Sequence, residues 1–183
     1  IFYKIPHEIL VYGQRAKDIL ISKGFDEKRI NLIYNSLDFD NQLRILNDYD
    51  KKSLKKSIKK RIPTVGFIGR LTKQKKIEIL LKALYELDDT NKFNLLIVGD
   101  GEERQNLENL TYKLGVTDYV SFHGASYDEK ENCSLIKSMD VLVSPGEVGL
   151  TAIHAMTYGT PVITHNNFSK QMPEFEVIVP GLT

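Results

Sequence analysis

The chain has a single cysteine, Cys133, in 183 residues, so no disulfide framework forms within it, and the composition fits a reducing compartment. Charge of one sign is also lacking. Lys and Arg number 25 against 24 Asp and Glu, a formal net charge of +1, so whole-chain electrostatics give no case for a nucleic-acid partner. No apolar run is long enough to span a bilayer. The opening residues, IFYKIPHEIL, have neither the charged n-region nor the long apolar core of a signal peptide. The initiator methionine is missing too, and the chain closes on VIVPGLT, just past a strand-like run where an α/β chain continues into a helix. Both ends read as cuts in a longer polypeptide. Cys133 falls in a helical pattern and reads as a packed thiol rather than a nucleophile.

What the sequence does have is an alternation of two periods. PTVGFIG (63–69), FNLLIVG (93–99), YVSFHG (119–124), DVLVS (140–144) and PVIT (161–164) read as buried strands. Between them lie helical patterns. Residues 76–87 put Ile77, Leu80, Leu81, Leu84 and Leu87 on one face, and residues 102–114 turn Leu107, Leu110 and Leu114 inward. Further helices are expected over 129–138 and from Gly149 to the breaker Gly159. Apolar strands alternating with helices imply right-handed crossovers and a parallel sheet covered on both faces. The fold class is therefore α/β, with a length that suits one domain with a sizeable core.

In a parallel sheet the carboxyl ends of the strands share one edge, where open α/β sheets bind ligands. Here that edge carries Arg70, Lys73, Lys75 and Lys76 after the first strand, then Asp100 and Gly101, Gly124, the loop from Pro145 to Glu147, and His165. Cations, glycines that permit close approach and a small-residue loop opening a helix at Gly149 together suit a diphosphate. Arg70 and Lys75 read as cations at a helix N-terminus, where they oppose the macrodipole at a cost of a few tenths of a kcal/mol that an anionic ligand would remove. Gly99-Asp100-Gly101 begins a dinucleotide fingerprint, but Arg104 stands where its third glycine belongs. His123 and His165 read as structural. His154 shares a helix face with Leu150 and reads equally as a packing and a site residue.

The N-terminal part is organised differently. A short strand over 9–12, a helix over 13–23 with Ala16, Ile19 and Leu20 on one face, and a strand over 30–34 precede the turn Asn35-Ser36. The segment 41–62 is a connector whose lysine-rich run, 47–61, reads as a solvated helical face with a thin stripe of Leu54 and Ile58.

Taken in order, GRLTKQKK, LLIVGDGEERQNLE, VSFHG, DVLVSP, VGLTAIHAMTYGTPVI and PEFE resemble the nucleotide-binding domain of the retaining, GT-B-fold glycosyltransferases of group 1 (family four). The resemblance implies a Rossmann-like, doubly wound parallel sheet with helices on both faces over 63–183, the C-terminal half of such an enzyme. It implies that residues 1–40 end a preceding acceptor-binding domain. It assigns Arg70 and Lys75 to the donor diphosphate. Gly69, Asp100, Gly101, Gly124, Glu147, Val148, Gly149, Leu150, Thr151 and His154 are assigned to the rest of the nucleotide-diphospho-sugar. Three positions depart from the family pattern. Lys76 replaces a glycine, and Gly146 and His154 replace two glutamates with seven residues between them, with Glu147 beside the first and His154 left to meet the ribose hydroxyls.

The reaction implied is transfer of the sugar to an acceptor hydroxyl, saccharide or lipid-linked, in polysaccharide or glycoconjugate synthesis. The implied setting is the cytoplasm, with possible peripheral contact to the membrane. No cofactor and no metal are expected, since no Asp-x-Asp motif lies near these loops and protein cations stand in that role. Three other classes are weighed against this one: a sugar-nucleotide epimerase, which the group 1 motifs oppose; a dinucleotide-dependent oxidoreductase, which the incomplete fingerprint opposes; and a non-catalytic nucleotide-binding module.

Overall fold

The computed structural model of the chain describes residues 6–53, 62–179 and 181. Five parallel strands form the main sheet: β3 (Thr64–Ile68), β4 (Asn94–Val98), β5 (Val120–Gly124), β6 (Val141–Ser144) and β7 (Val162–Thr164), in the order β5-β4-β3-β6-β7. A smaller parallel pair, β1 (Ile9–Val11) and β2 (Ile30–Leu32), stands apart, joined by helix α1 (Gln14–Ser22). The remaining helices are α2 (Phe39–Ser53), α3 (Glu78–Glu86), α4 (Arg104–Leu114), α5 (Glu129–Ser138) and α6 (Thr151–Thr157).

The expected doubly wound architecture holds. On one face of the sheet Ile77, Leu80, Leu81 and Leu84 from α3 and its lead-in, with Leu107 of α4, pack against Phe67, Leu95 and Ile97. On the other, Cys133 and Ile136 of α5 and Ala152, Ala155 and Tyr158 from α6 and its C-terminal end pack against Val98, Leu142 and Val162. Three expected core positions differ: Leu87 is 36% exposed, Leu150 36% and Ile19 43%, each near the end of its helix or of its apolar stripe.

Helix starts differ more than strands. The expected helix at 76 begins at Glu78, because Lys73–Lys75 form a tight 3-10 turn that closes on Lys76 in the left-handed region, φ 52°. The expected helix at Gly149 begins at Thr151.

The connector also differs. Its first part is α2, and Ile45, Leu46 and Tyr49 pack on the α5–α6 face of the core. With buried Gln42 they form an i, i+3, i+4, i+7 stripe, which a reading started at the lysines cannot see. Leu54, Ile58 and the cations from Lys55 to Arg61 lie outside the described residues.

Candidate functional site at the switch point of the sheet

The strand order reverses between β3 and β6, which pair in parallel through Val65–Val141 and Gly66–Leu142. Outside such a reversal, at the carboxyl ends of the strands, an open α/β sheet leaves a crevice. The loops that meet there are 69–76, after β3, and 145–150, after β6.

Lys75 reaches across that meeting. Its Nζ donates to the Glu147 carbonyl oxygen at 3.0 Å and lies 3.6 Å from Glu147 Oε1, with the side chain 16% exposed. The two loops approach so closely because residue 146 is glycine. Its N–H donates to Lys75 O at 3.0 Å, and a Cβ there would lie 1.9 Å from Gln74 O. A side chain at 146 therefore requires the lysine-bearing turn to move, and the carboxylate that meets Lys75 comes from Glu147. Lys76 keeps the left-handed backbone a glycine would take, at a cost of about 1–2 kcal/mol for an L-residue. Arg70 is exposed in the same loop and, among the described residues, is in no ion pair. Since α3 starts only at Glu78, neither Arg70 nor Lys75 sits at a helix N-terminus. The expected conflict with a macrodipole is corrected accordingly: the first turn of α3 holds an acid, Glu78, instead.

Arg70 and Gly69 open onto a cleft of about 280 Å³ bordered by Asp100 and by Ala125, Ser126 and Tyr127. Asp100 is turned to local work: Oδ1 accepts from Gly101 N at 2.7 Å and Oδ2 lies 3.9 Å from Arg104. Arg104, in the place of the missing fingerprint glycine, also pairs with Glu108 at 2.8 Å. The close approach that Gly101 permits is between loops, because a Cβ there would lie 2.4 Å from Leu71 O. At Gly124 the nearest group is the Arg104 guanidinium, 3.6 Å from a Cβ position, and Gly124 O accepts from Gly99 N at 2.7 Å.

In the loop after β6, Val148 N donates to Gln171 Oε1 at 2.7 Å, so this amide is already taken. Among the described residues the amides of Gly149 and Leu150 donate to no acceptor. Thr151 Oγ1 donates to Ile68 O at 3.1 Å, tying α6 to the end of β3. Sequence reasoning missed Gln171. It also holds Thr164 Oγ1 at 2.9 Å and His165 O at 2.7 Å, and nothing in the polar stretch around it signals that role.

His154 turns to α5. Its Nε2 lies 2.8 Å from Glu129 Oε1, an oxygen that also accepts from Gln42 Nε2 at 3.1 Å and from the Tyr158 hydroxyl. Burial works to raise the Glu129 pKa, but the hydrogen bonds from Tyr158 and His154 outweigh it and hold the carboxyl below its ordinary value. Burial, then the bond to Glu129, drives the Tyr158 hydroxyl well above its usual range. His123 pairs with Glu131 at 3.3 Å, and His165 Nδ1 accepts from Asn167 N at 3.1 Å; both support loops. Burial pushes the Cys133 thiol up to about 11, which fits a packed, unreactive group. Among the described residues no group of three or more His, Cys, Asp or Glu is placed to hold a metal. No helix among them is long and apolar enough to cross a membrane.

A doubly wound parallel sheet with its strand order reversing between β3 and β6 defines an α/β domain of the Rossmann-like class. The family model described as glycosyl transferases group 1 matches residues 48–175, well over half of the chain, so the chain belongs to the group 1 glycosyltransferases. An uncharacterized glycosyltransferase of Methanocaldococcus jannaschii is 35% identical over 145 residues, covering 75% of this chain and 36% of the relative. The 2-deoxystreptamine glucosyltransferase of Streptomyces kanamyceticus is 35% identical over 107 residues, covering 56% of this chain and 27% of the relative. Among solved structures, the lipopolysaccharide outer core galactosyltransferase WaaB superposes with a TM-score of 0.72 at 20% identity, over 96% of this chain and 47% of that one. Anabaena Alr3699/HepE in complex with UDP gives 0.70 at 19% identity, over 96% and 48%. The chain thus spans about half the length of these solved structures and about a third of these curated relatives.

Proposed function

We propose that this chain is the donor-binding half of a retaining glycosyltransferase that moves a sugar from a nucleoside diphosphate to an acceptor hydroxyl. The observation that carries the reading is the switch point itself. Lys75 is held at the crossing of the β3 and β6 loops beside the unpaired amides of Gly149 and Leu150, and Arg70 is exposed in the adjoining cleft. As the glycosidic bond breaks, its electron pair passes to the leaving phosphate oxygen. Fixed cations and N–H groups aimed at that oxygen lower the barrier without reorganising. Lys75 arrives already desolvated and oriented by Glu147, and exchanges that partner for the diphosphate. Gly69, Asp100, Gly101 and Gly124 shape the cleft, Val148 and Thr151 fix the amide loop, and His154, held by Glu129, follows on α6.

The substrate needs no cofactor, because the nucleotide sugar carries its own leaving group. The acceptor, a saccharide or lipid-linked glycan of a polysaccharide or glycoconjugate, is bound mainly by a preceding domain of the same polypeptide, whose end is residues 1–40. In this reading the enzyme works in the cytoplasm, at times against the membrane surface, and nucleic acid is not a partner. Support comes from the family and from a structural neighbour described in complex with UDP.

The test is calorimetry of UDP, GDP and ADP on the chain and on an Arg70→Ala/Lys75→Ala double variant. Each cation contributes a charge-assisted hydrogen bond of about 1.5–3 kcal/mol, so the double variant should lose about a hundredfold or more in affinity. Unchanged affinity would overturn the assignment.

A further inference from the structure

Segment 168–178 faces two ways. On one side Gln171 Oε1 accepts from Val148 N at 2.7 Å and Met172 Sδ lies 3.9 Å from Lys75 Nζ, so the segment borders the switch point. On the other it faces α1 across a cavity of about 470 Å³, with Phe168 and Phe175 on its own wall and Arg15 and Asp18 on the wall of the helix. The two sides are close together. Phe175 N donates to Met172 O at 3.1 Å, and three residues of a 3-10 turn rise only about 6 Å. The cavity therefore lies one turn of chain away from the neighbour of Lys75.

Its walls are preformed and incompletely used. Gly13 admits the Glu176 carboxylate to the start of α1, since a Cβ there would lie 2.8 Å from Oε1. Both Glu176 oxygens are then spent on the amides of Gln14 and Arg15, at 2.7 and 3.0 Å. The Arg15 guanidinium lies 5.0 Å from the centre of the Phe168 ring and, among the described residues, is in no ion pair. Asp18 Oδ1 accepts from Gln14 Nε2 at 2.7 Å, and among the described residues no donor falls on Oδ2. Phe168 and Phe175 meet edge to face at 5.3 Å, and Phe168 stays 38% exposed. Arg15 and Asp18, three apart on one helix face, thus offer free N–H donors and a free carboxylate oxygen beside an aromatic wall.

A cavity of this size, apolar with a few placed polar groups, suits a small ligand, and those groups select its class. Charges of both signs favour a neutral occupant over a strongly anionic or cationic one. A pyranose ring answers each wall: its C–H face is apolar, and each rim hydroxyl both donates and accepts. We infer that this cavity binds a neutral sugar of the acceptor glycan, held between the Arg15 guanidinium and Asp18 against Phe168 and Phe175. This rests on the donor-binding reading of the switch point, which supplies the sugar to be transferred.

The experiment titrates the chain with the methyl glycosides of glucose, galactose and mannose and with methyl glucuronide, following backbone amides by nuclear magnetic resonance. At least one neutral glycoside should move the amides of residues 14–18 and 168–178 together. Asp18→Ala should weaken that binding about tenfold, the size expected for one hydrogen bond to a charged group, and Phe168→Leu should weaken it severalfold. Neither variant should change the affinity for UDP, GDP or ADP measured by calorimetry. No response at these amides, a response to the glucuronide alone, shifts scattered over the surface, or binding that both variants leave intact overturns the inference. If a nucleoside diphosphate still binds through Arg70 and Lys75 in that case, the donor reading stands. If the glycosides bind here and no nucleoside diphosphate does, the cavity stands as a sugar site and the donor reading falls. Should Phe168→Leu fail to fold by circular dichroism, Asp18→Ala, at an exposed helix position, decides alone.

Discussion

The five-stranded sheet buries large side chains on both faces: Phe67, Leu81, Leu84 and Leu95 on one side, Ile136, Leu142, Val148 and Tyr158 on the other. The β1–α1–β2 unit buries three, Ile9, Val11 and Ile30, and leaves Leu10, Tyr12, Ile33 and Tyr34 about half exposed. A two-stranded element of this size is marginal by itself. It is held instead by directional bonds from the far end of the chain. Glu176 accepts from Gln14 N at 2.7 Å and from Arg15 N at 3.0 Å, taking two orphan amides at the start of α1. Asn35 Nδ2 donates to buried Glu174 at 2.7 Å, and the Arg15 guanidinium lies 5.0 Å from the centre of the Phe168 ring. Cohesion by area is lost in proportion to what is removed. Cohesion by a few polar ties is lost bond by bond, and locally.

The largest effect should come from the first region. Leu81→Ala empties a site that is 0% exposed at the centre of the α3 packing and should cost about 2–5 kcal/mol, read as a lower midpoint of denaturant unfolding by far-ultraviolet circular dichroism. Because the ties of the small unit run to segment 168–178, both regions should melt together in this variant. A small unit that keeps its signal after the sheet has melted would break the comparison.

Glu176→Ala tests the other side. It strips an acceptor from two amides and should cost about 1–2 kcal/mol, the range seen when helix caps are removed. Hydrogen exchange should rise in residues 9–32 while β3 and β4 stay protected. Exchange rising equally in both sheets would mean that the two regions are one cooperative unit.

The same division explains how much was legible in the sequence. The large sheet announces itself because area burial leaves a periodic record: apolar runs of strand length and helical stripes such as Ile77, Leu80, Leu81 and Leu84 recur between glycine breakers. The cations at the sheet edge were legible because a parallel sheet puts every strand end on one side. The polar ties were not. Glu176 meets Gln14 across a sequence separation of 162 and Gln171 meets Val148 across 23, and a single polar residue carries no period that points to its partner. His154 was legible as a departure from the family pattern, yet its partner Glu129 was hidden in an ordinary helix start. The 3-10 turn at Lys73–Lys75 was missed because Lys76 adopts a left-handed backbone that its side chain does not advertise.

The smallest effect sharpens the comparison most. Arg15 belongs to both kinds of tie: its backbone N–H goes to Glu176 and its guanidinium lies over Phe168, beside a cavity of about 470 Å³ between α1 and the C-terminal segment. Arg15→Gln keeps the amide and removes the cation, so it should cost about 0.5–1 kcal/mol, the value of an exposed cation–π contact. If the small unit is held bond by bond, removing the guanidinium matters only while α1 is pinned at its start. The double variant Arg15→Gln/Glu176→Ala should then cost less than the sum of the single variants by about 0.5 kcal/mol or more, the coupling expected of groups that share one attachment. Strict additivity in the cycle would mean that the two ties act independently, and that the unit has a cohesion of its own which three buried side chains do not account for.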